Sequence, residues 1–341
     1  MSARPDMRGR IVCFGEILLR LAAPPGRLPL HASSADTAPG GADANVAVSL
    51  ALLGHRTAMV SVLPDNALGR GALAALDGHG VDTSGIRLLP GRMGLYFLAP
   101  RAGDGAPEIV YDRAGSAYAL AGPAAYDWPT LLEGAAWLHV AGIAPGSANG
   151  PAHAVPGALR AARGAGVRVA IDACHCVPPW QEQGPDAAAP LRDTLDHADV
   201  LFAAPHDLAA ALGRPELADP AHDTDAARAA FAAFPRLTLL AWTRQVQLDA
   251  DAHELSATLH TRTKTVTGGS YRLSGSVDRI GTGAAFAAGV LHGLQCGMAP
   301  DDVAGFALAA AALKHAIADD VMPARARWRA PAHAGGYDAG H

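Results

Sequence analysis

The sequence predicts an α/β protein, in which helices cover a mostly parallel β-sheet. Short β-branched runs alternate along the 341 residues with longer alanine-rich runs, and this alternation is typical of βαβ units. Half of the residues are hydrophobic but only 5% are aromatic, so alanine, leucine and valine must fill the core, which favours packed helices. Two glycine-rich loops each precede an apolar, helical run, as in many α/β enzymes.

The N-terminal quarter predicts strands that alternate with short helices. The predicted strands are RIVCF at Arg10–Phe14 and the runs 17–22 and 57–63. The pair Gly40-Gly41, the apolar run 46–53 and then Gly54 predict a loop, a helix and the end of that helix. A second helix is predicted over 69–78.

Between residues 91 and 116 the sequence becomes aromatic and β-branched. GLYFLAP at 94–100 and EIVYDR at 108–113 flank the turn Gly103-Asp104-Gly105, a pattern typical of a β-hairpin. Together with residues 17–37, this hairpin is expected to form a small β-lid that protrudes from the α/β core.

The remainder of the chain predicts regular alternation and two long final helices. Strands are predicted at 137–141, 167–172, 200–203 and 237–242, with two more between 254 and 273; helices are predicted at 152–164, 187–196, 207–212, 284–296 and 301–316. The length of 341 residues allows one large domain or two smaller ones. The tail at 322–341 is expected to be poorly ordered.

Composition excludes several classes of protein. No apolar run reaches the roughly 18 residues of a membrane span, and the first ten residues have no signal-peptide pattern. A net charge of −5 without a basic stripe argues against a nucleic-acid partner. Four cysteines are too few for a disulfide framework in a chain of this length. The composition thus predicts a soluble cytoplasmic protein, either an α/β enzyme or a descendant of one.

The segment from Gly281 to Gly289 (GTGAAFAAG) carries the clearest chemical signal. Glycines at the start of a helix let backbone amides approach an anion, and the helix N-terminus adds favourable partial charge. A tight strand-to-helix turn would use the same residues, so both interpretations stay open for the segment alone. It lacks the lysine of a P-loop and the third glycine of a dinucleotide fingerprint.

Two motifs together resemble a known family. GGADANVA at 40–47 and DRIGTGAAF at 278–286 resemble the N- and C-terminal signatures of ribokinase-like (PfkB) sugar kinases. Residues 14–20, 94–97, 111–117 and 313–315 are similar to those of 2-keto-3-deoxygluconate kinases in that family. The resemblance covers residues 10–320 and implies a doubly wound α/β fold, a β-lid that often serves as a dimer interface, and ATP with Mg²⁺ as the phosphoryl donor.

The resemblance also implies a role for individual residues. It assigns an anion hole, sugar-hydroxyl contacts, contacts to a keto acid, nucleotide contacts and a residue near magnesium. The anion hole is Gly281, Thr282 and Gly283, and the sugar-hydroxyl contacts are Gly40, Gly41 and Asn45. The keto-acid contacts are Tyr96, Tyr111 and Arg113, the nucleotide contacts are Thr243 and Arg244, and the residue near magnesium is Asp207. Glu16 follows a strand end, which makes it a candidate sugar contact, with an ordinary surface loop as the alternative. A sugar acid is the implied substrate, and a homodimer formed through the lid is the implied assembly.

Four departures from the family pattern bear on catalysis. Ala284 stands where the family has the aspartate that deprotonates the acceptor hydroxyl. Cys174 and Cys176 replace the asparagine and arginine of an Asp-x-Asn-x-Arg motif. Of an Asn-x-x-Glu motif expected at 204–207 only the acidic Asp207 remains, and no glycine-flanked nucleotide loop follows Leu240. The sequence therefore supports two hypotheses: an impaired sugar-acid kinase, or an inactive relative that binds a sugar acid or nucleotide as a sensor or partner subunit.

Other residues offer substitutes or alternatives. Asp278 and His175 are candidates for the missing base, because both lie on loops near the predicted site. The run Cys174-His175-Cys176 could bind a metal or undergo redox chemistry, but zinc sites usually use wider cysteine spacing with two further ligands. Buried cysteines that pack as small apolar side chains are the default interpretation.

Overall fold

The computed structural model describes residues 9–24, 33–99, 108–141, 154–173, 188–249, 252–274, 280–317 and 320. They form a large sheet of nine strands, covered on both faces by helices, and a separate sheet of four strands. The predicted fold class, a doubly wound α/β domain with a small β-lid, is confirmed.

The large sheet has the strand order β13-β12-β11-β10-β9-β8-β1-β4-β5. Its pairs are parallel from β5 to β11, and β12 and β13 add an antiparallel edge. The strands are β1 Arg10–Phe14, β4 Thr57–Pro64, β5 Ile86–Leu89, β8 Ala135–Ala141, β9 Arg168–Asp172, β10 Val200–Phe202, β11 Leu239–Gln247, β12 Ala252–Thr261 and β13 Thr265–Ser274.

Helices bury both faces of this sheet because successive strand residues point to opposite sides. On β1, Val12 and Phe14 join one core cluster, whereas Ile11 and Cys13 join the other. The helices on the first face are α3 Ala117–Leu120, α4 Trp128–Leu131, α5 Ala154–Gly164, α6 Ala188–Leu195, α7 Pro205–Leu212 and α8 Asp223–Ala233. Those on the second are α1 Ala42–Leu52, α2 Ala67–Gly78, α9 Thr282–Gln295 and α10 Pro300–Lys314.

The lid is a four-stranded sheet in the order β3-β2-β6-β7. Its strands are β2 Leu18–Ala22, β3 Asp36–Gly40, β6 Gly94–Ala99 and β7 Glu108–Asp112. β2 pairs in parallel with β6, while β3 and β7 are antiparallel to their neighbours. The predicted hairpin of β6 and β7 is confirmed, and its turn at 103–105 lies outside the described residues.

Several element boundaries differ from the prediction. Helix α1 begins at Ala42 rather than at residue 46, because Gly41 already ends the preceding segment. Strand β11 continues to Gln247 rather than ending at Trp242, because its polar second half pairs with β12. The sequence did not predict β3, β5 or α8, whose residues lack a clean period of apolar side chains.

Within the described ranges, no helix is both long and apolar enough to cross a bilayer. The tail at 322–341, the run Cys174-His175-Cys176 and Asp278 lie outside the described residues.

Candidate active site

The N-terminus of α9 is built to receive an anion. Gly281 precedes the helix with a left-handed φ of 82°, and no side chain caps the first turn. The Thr282 hydroxyl is buried and has no hydrogen-bond partner among the described residues. Uncapped amides, a helix dipole and a buried orphan hydroxyl suit a phosphoryl group. Ala284 lies in this first turn and is buried, so the turn itself carries no carboxylate.

The first glycine loop connects the lid to α1. Gly40 ends β3, and Gly41 has a φ of 132°. A side chain at Gly41 would overlap the carbonyl oxygen of Glu16, so only glycine lets the two segments approach. Asn45 lies in the first turn of α1, where it is buried, and its amide donates to Gly41 at 2.8 Å.

One row of side chains crosses the inner face of the lid. Arg20, Tyr96 and Tyr111 are direct neighbours on β2, β6 and β7. The rings of Tyr96 and Tyr111 are 5.9 Å apart, and the guanidinium of Arg113 lies 4.3 Å from the Tyr111 ring centroid. The lid therefore presents two cations and two phenols on one surface. Tyr96, Tyr111 and Arg113, which the sequence separates by up to 17 positions, are brought together.

Glu16 joins this group from the end of β1. Its carboxylate accepts a hydrogen bond from the Ser116 hydroxyl at 2.7 Å and lies 3.6 Å from Arg113 Nε. Burial raises the pKa of Glu16, while Ser116 and Arg113 oppose that shift. Glycine at position 94 leaves room for the Glu16 carboxylate. The Glu16 carboxylate thus helps to position the Arg113 guanidinium beside Tyr111.

Asp320 is the main site residue that the sequence did not single out. Its carboxylate pairs with Arg20, accepts a hydrogen bond from Tyr96 and lies 3.5 Å from the side-chain nitrogen of Asn45. It is 3% exposed, and a Cβ at Gly40 would be only 2.5 Å from it. The local sequence offers little signal, since an aspartate after the last helix resembles any surface acid.

Asp43 and His139 form a second contact that the sequence did not predict, next to the first glycine loop. Asp43, in the first turn of α1, accepts a hydrogen bond from the Ala141 amide at 2.9 Å, and His139 Nδ1 lies 2.9 Å from the same oxygen. Burial raises the pKa of Asp43 to about 6, although the bonds to His139 and Ala141 lower it. Gly15 makes space for this carboxylate. The pair fixes α1 against the end of β8.

The predicted nucleotide and metal residues are engaged elsewhere in the described structure. Thr243 and Arg244 lie within β11 rather than after it, and Arg244 pairs with Asp223 of α8. Asp207 is buried, and its carboxylate accepts a hydrogen bond from the Ala204 amide at 2.9 Å, which fixes the start of α7. Their roles toward ATP and Mg²⁺ stay predictions.

The described residues provide no complete protein cage for Mg²⁺. Their one group of three closely placed histidine, cysteine or acidic ligand atoms is His55, His292 and Cys296, at the far end of α9. Mg²⁺ in kinases is held largely by nucleotide phosphates with one or two carboxylates, and Asp207 is the candidate from the sequence. The uncapped α9 terminus fits the phosphates themselves.

Comparison with known families agrees with this geometry. Residues 8–316 match the pfkB family carbohydrate kinase model. The chain belongs to the pfkB family of carbohydrate kinases. The family match includes both glycine loops and all four lid strands.

Relatives and solved structures of this family are similar over most of the chain. The 2-dehydro-3-deoxygalactonokinase of Haloferax volcanii is 30% identical, covering 92% of this chain and 93% of that protein. The structure of 2-dehydro-3-deoxygluconokinase from Thermotoga maritima is 31% identical with a TM-score of 0.84, covering 92% and 96%. A PfkB family carbohydrate kinase from Listeria grayi is 32% identical with the same TM-score and coverage.

Proposed function

We propose that this protein transfers the γ-phosphoryl group of ATP to a hydroxyl of a 2-keto-3-deoxy sugar acid. The observation that carries the proposal is the lid row: Arg20, Tyr96 and Tyr111 are neighbours, Arg113 lies over the Tyr111 ring, and the Tyr96 hydroxyl lies beside Gly40 of the first glycine loop. Phenols donate to hydroxyls and carbonyls, and an arginine pairs with a carboxylate through charge-assisted hydrogen bonds. The two kinase relatives named above act on 2-dehydro-3-deoxy sugar acids, which supports this substrate class.

Each part of the site would contribute a distinct step. Gly40, Gly41 and Asn45 would orient sugar hydroxyls, while Arg113, held by Glu16, would bind the carboxylate. The amides of Thr282 and Gly283 would stabilise charge on the transferring phosphoryl group, which is where phosphoryl transfer gains most of its rate. Mg²⁺, when bound with ATP, would neutralise phosphate charge.

A coupled ADP-release assay with ATP and Mg²⁺ tests the proposal. We expect turnover with 2-keto-3-deoxygluconate or 2-keto-3-deoxygalactonate and much less with fructose, a neutral sugar. Arg113→Gln should raise the KM for the acid by roughly 10- to 100-fold, because a charge-assisted hydrogen bond is lost, and leave the KM for ATP unchanged. Arg228→Gln, at an exposed position on α8, is the control. Preference for fructose, or an unchanged KM in Arg113→Gln, would contradict this substrate class.

Ala284 favours a second candidate function. A site without a proton acceptor could bind a sugar acid or nucleotide without turnover, as a sensor or a partner subunit would. Calorimetry on the same protein separates the two: saturable binding of the acid without ADP release favours the binding role, whereas sustained ADP release excludes it.

The proposed assembly is a homodimer formed through the outer face of the lid. Side chains alternate along a strand, so the neighbours of the inward row face outward. The outward residues include Leu21, Phe97 and Val110, which are cross-strand neighbours on β2, β6 and β7. Val110 is 51% exposed. An apolar row on an exposed sheet face is typical of a surface that a second protein covers.

A further inference from the structure

In a sugar kinase the acceptor hydroxyl lies where the sugar site meets the phosphoryl site. A general base for this hydroxyl must therefore lie at the same boundary. Ala284 supplies none. Glu16, Asp43, Asp207 and Asp320 are described carboxylates on loops or helix starts, and a fifth, Asp172, ends β9 beside Ala141. Their contacts show which of them can serve.

Three of these acids already have partners in the described structure. Glu16 accepts a hydrogen bond from Ser116 and pairs with Arg113. Asp43 is fixed behind Gly15 by His139 and the Ala141 amide. Asp207 accepts the amide of Ala204 at the start of α7. Among the contacts of the described residues, none of these three acids links the two glycine loops.

Asp320 does contact both loops. Its side chain lies beside Gly40, and a Cβ on Gly281 would overlap the Asp320 carbonyl oxygen. The backbone of Asp320 therefore contacts the residue that precedes α9, where the phosphoryl group is expected. Its carboxylate lies beside Gly40, on the side of the proposed sugar site. That is the boundary at which the acceptor hydroxyl must lie.

The carboxylate also has one lone-pair site without a donor among the described residues. An ionised carboxylate offers about four lone-pair sites. Arg20 approaches one oxygen, and Tyr96 and Asn45 approach the other, which accounts for three. The fourth can accept the hydroxyl of a bound substrate. Arg20 balances the negative charge, so a buried carboxylate is tolerated here.

We propose that Asp320 is the general base of this kinase, in place of the aspartate that Ala284 lacks. The substrate hydroxyl oxygen attacks the γ-phosphorus and forms the new O–P bond. The bond between the γ-phosphorus and the bridging oxygen breaks, and ADP leaves with that oxygen. The hydroxyl proton moves to the Asp320 carboxylate and is released to water with the products. This inference rests on the proposed function.

The test is a mutant set in the ADP-release assay. Asp320→Asn should lower kcat by roughly 10²- to 10⁴-fold, the usual contribution of a general base. The double variant Ala284→Asp/Asp320→Asn should recover much of the loss, because a carboxylate returns on α9. Asp65→Asn, at an exposed position, is the matched control, and circular dichroism checks that each variant folds.

Different failures have different meanings. If Asp320→Asn raises only the KM for the acid, Asp320 is not the base, yet the proposed function stands. If Ala284→Asp turns over while the unaltered protein does not, Asp320 is not the base, and the unaltered protein has the binding role rather than the transferase role. If neither the unaltered protein nor Ala284→Asp phosphorylates either acid, the proposed function itself fails. Asp320→Glu keeps a carboxylate and should retain more activity than Asp320→Asn; equal losses in the two would also overturn the proposal.

Discussion

At the scale of single residues, the absence of a side chain shapes much of this site. Gly281 combines a left-handed φ with direct contact to the Asp320 backbone, and Gly41 does the same against Glu16. A left-handed conformation costs an ordinary residue about 1–2 kcal/mol, and a Cβ would add steric overlap. These positions let three segments that are distant in sequence meet at one point.

Gly281→Ala should therefore weaken both folding and activity. We expect the melting temperature to fall by several degrees, and kcat/KM to fall because Asp320 and the first turn of α9 no longer fit together. Differential scanning fluorimetry and the ADP-release assay measure the two effects. Gly305→Ala in α10 is the matched control: a Cβ there meets no atom within 4 Å, and alanine favours a helix. A melting temperature as high as that of the control would contradict this role of Gly281.

At the scale of elements, the lid carries two different surfaces on one sheet. The inner row bears Arg20, Tyr96 and Tyr111, whereas the outer face bears the apolar row of Leu21, Phe97 and Val110. Successive side chains of a strand point to opposite faces of the sheet, so the same four strands carry the polar inner row and the apolar outer row. Substrate binding and subunit association can thus share four short strands.

Val110→Asp should disrupt the proposed dimer. A charge at the centre of an apolar interface is costly to bury, so size-exclusion chromatography with light scattering should detect a dimer for the unaltered protein and a monomer for the variant. Val246→Asp, at a 47% exposed position on β11 outside the lid, should remain dimeric. A monomeric unaltered protein, or a dimeric Val110→Asp variant, would contradict the lid interface.

At the scale of the whole molecule, buried histidines couple stability to pH. His260 is 3% exposed, stacks on Trp242 at 4.5 Å and has its pKa lowered to about 4 by burial. Burial, with a smaller effect of nearby His292, also lowers the pKa of His55 to about 4. The unfolded chain protonates near pH 6.5. Their contribution to stability is therefore complete above about pH 6.5 and is lost as the pH falls toward 4.

His260→Asn should flatten this acid dependence. Each buried histidine can add up to about 1.4 kcal/mol per pH unit to the slope of the unfolding free energy between the two pKa values. Urea unfolding at pH 7.5, 6 and 5 measures the slope, which is the readout even if the variant is less stable at every pH. His222→Asn, at an exposed position, is the control. An unchanged slope in His260→Asn would contradict this account.

The sequence by itself determined the α/β class, the lid and both glycine loops, because these depend on local period, on glycine and on short motifs. It also placed Tyr96, Tyr111 and Arg113 in the site through the resemblance to the family. Helix α8 and strands β3 and β5 escaped prediction because tertiary packing and pairing, rather than a regular apolar period, stabilise them.

Only the tertiary structure decided which acids are buried beside the first glycine loop. Asp43 and Asp320 lie 277 positions apart, and neither has a local pattern that distinguishes it from a surface acid. Their burial and their partners arise from contacts with β8, with the lid and with the start of α9. A carboxylate acquires its function from the donors and cations around it, and in this protein most of those come from distant segments of the chain.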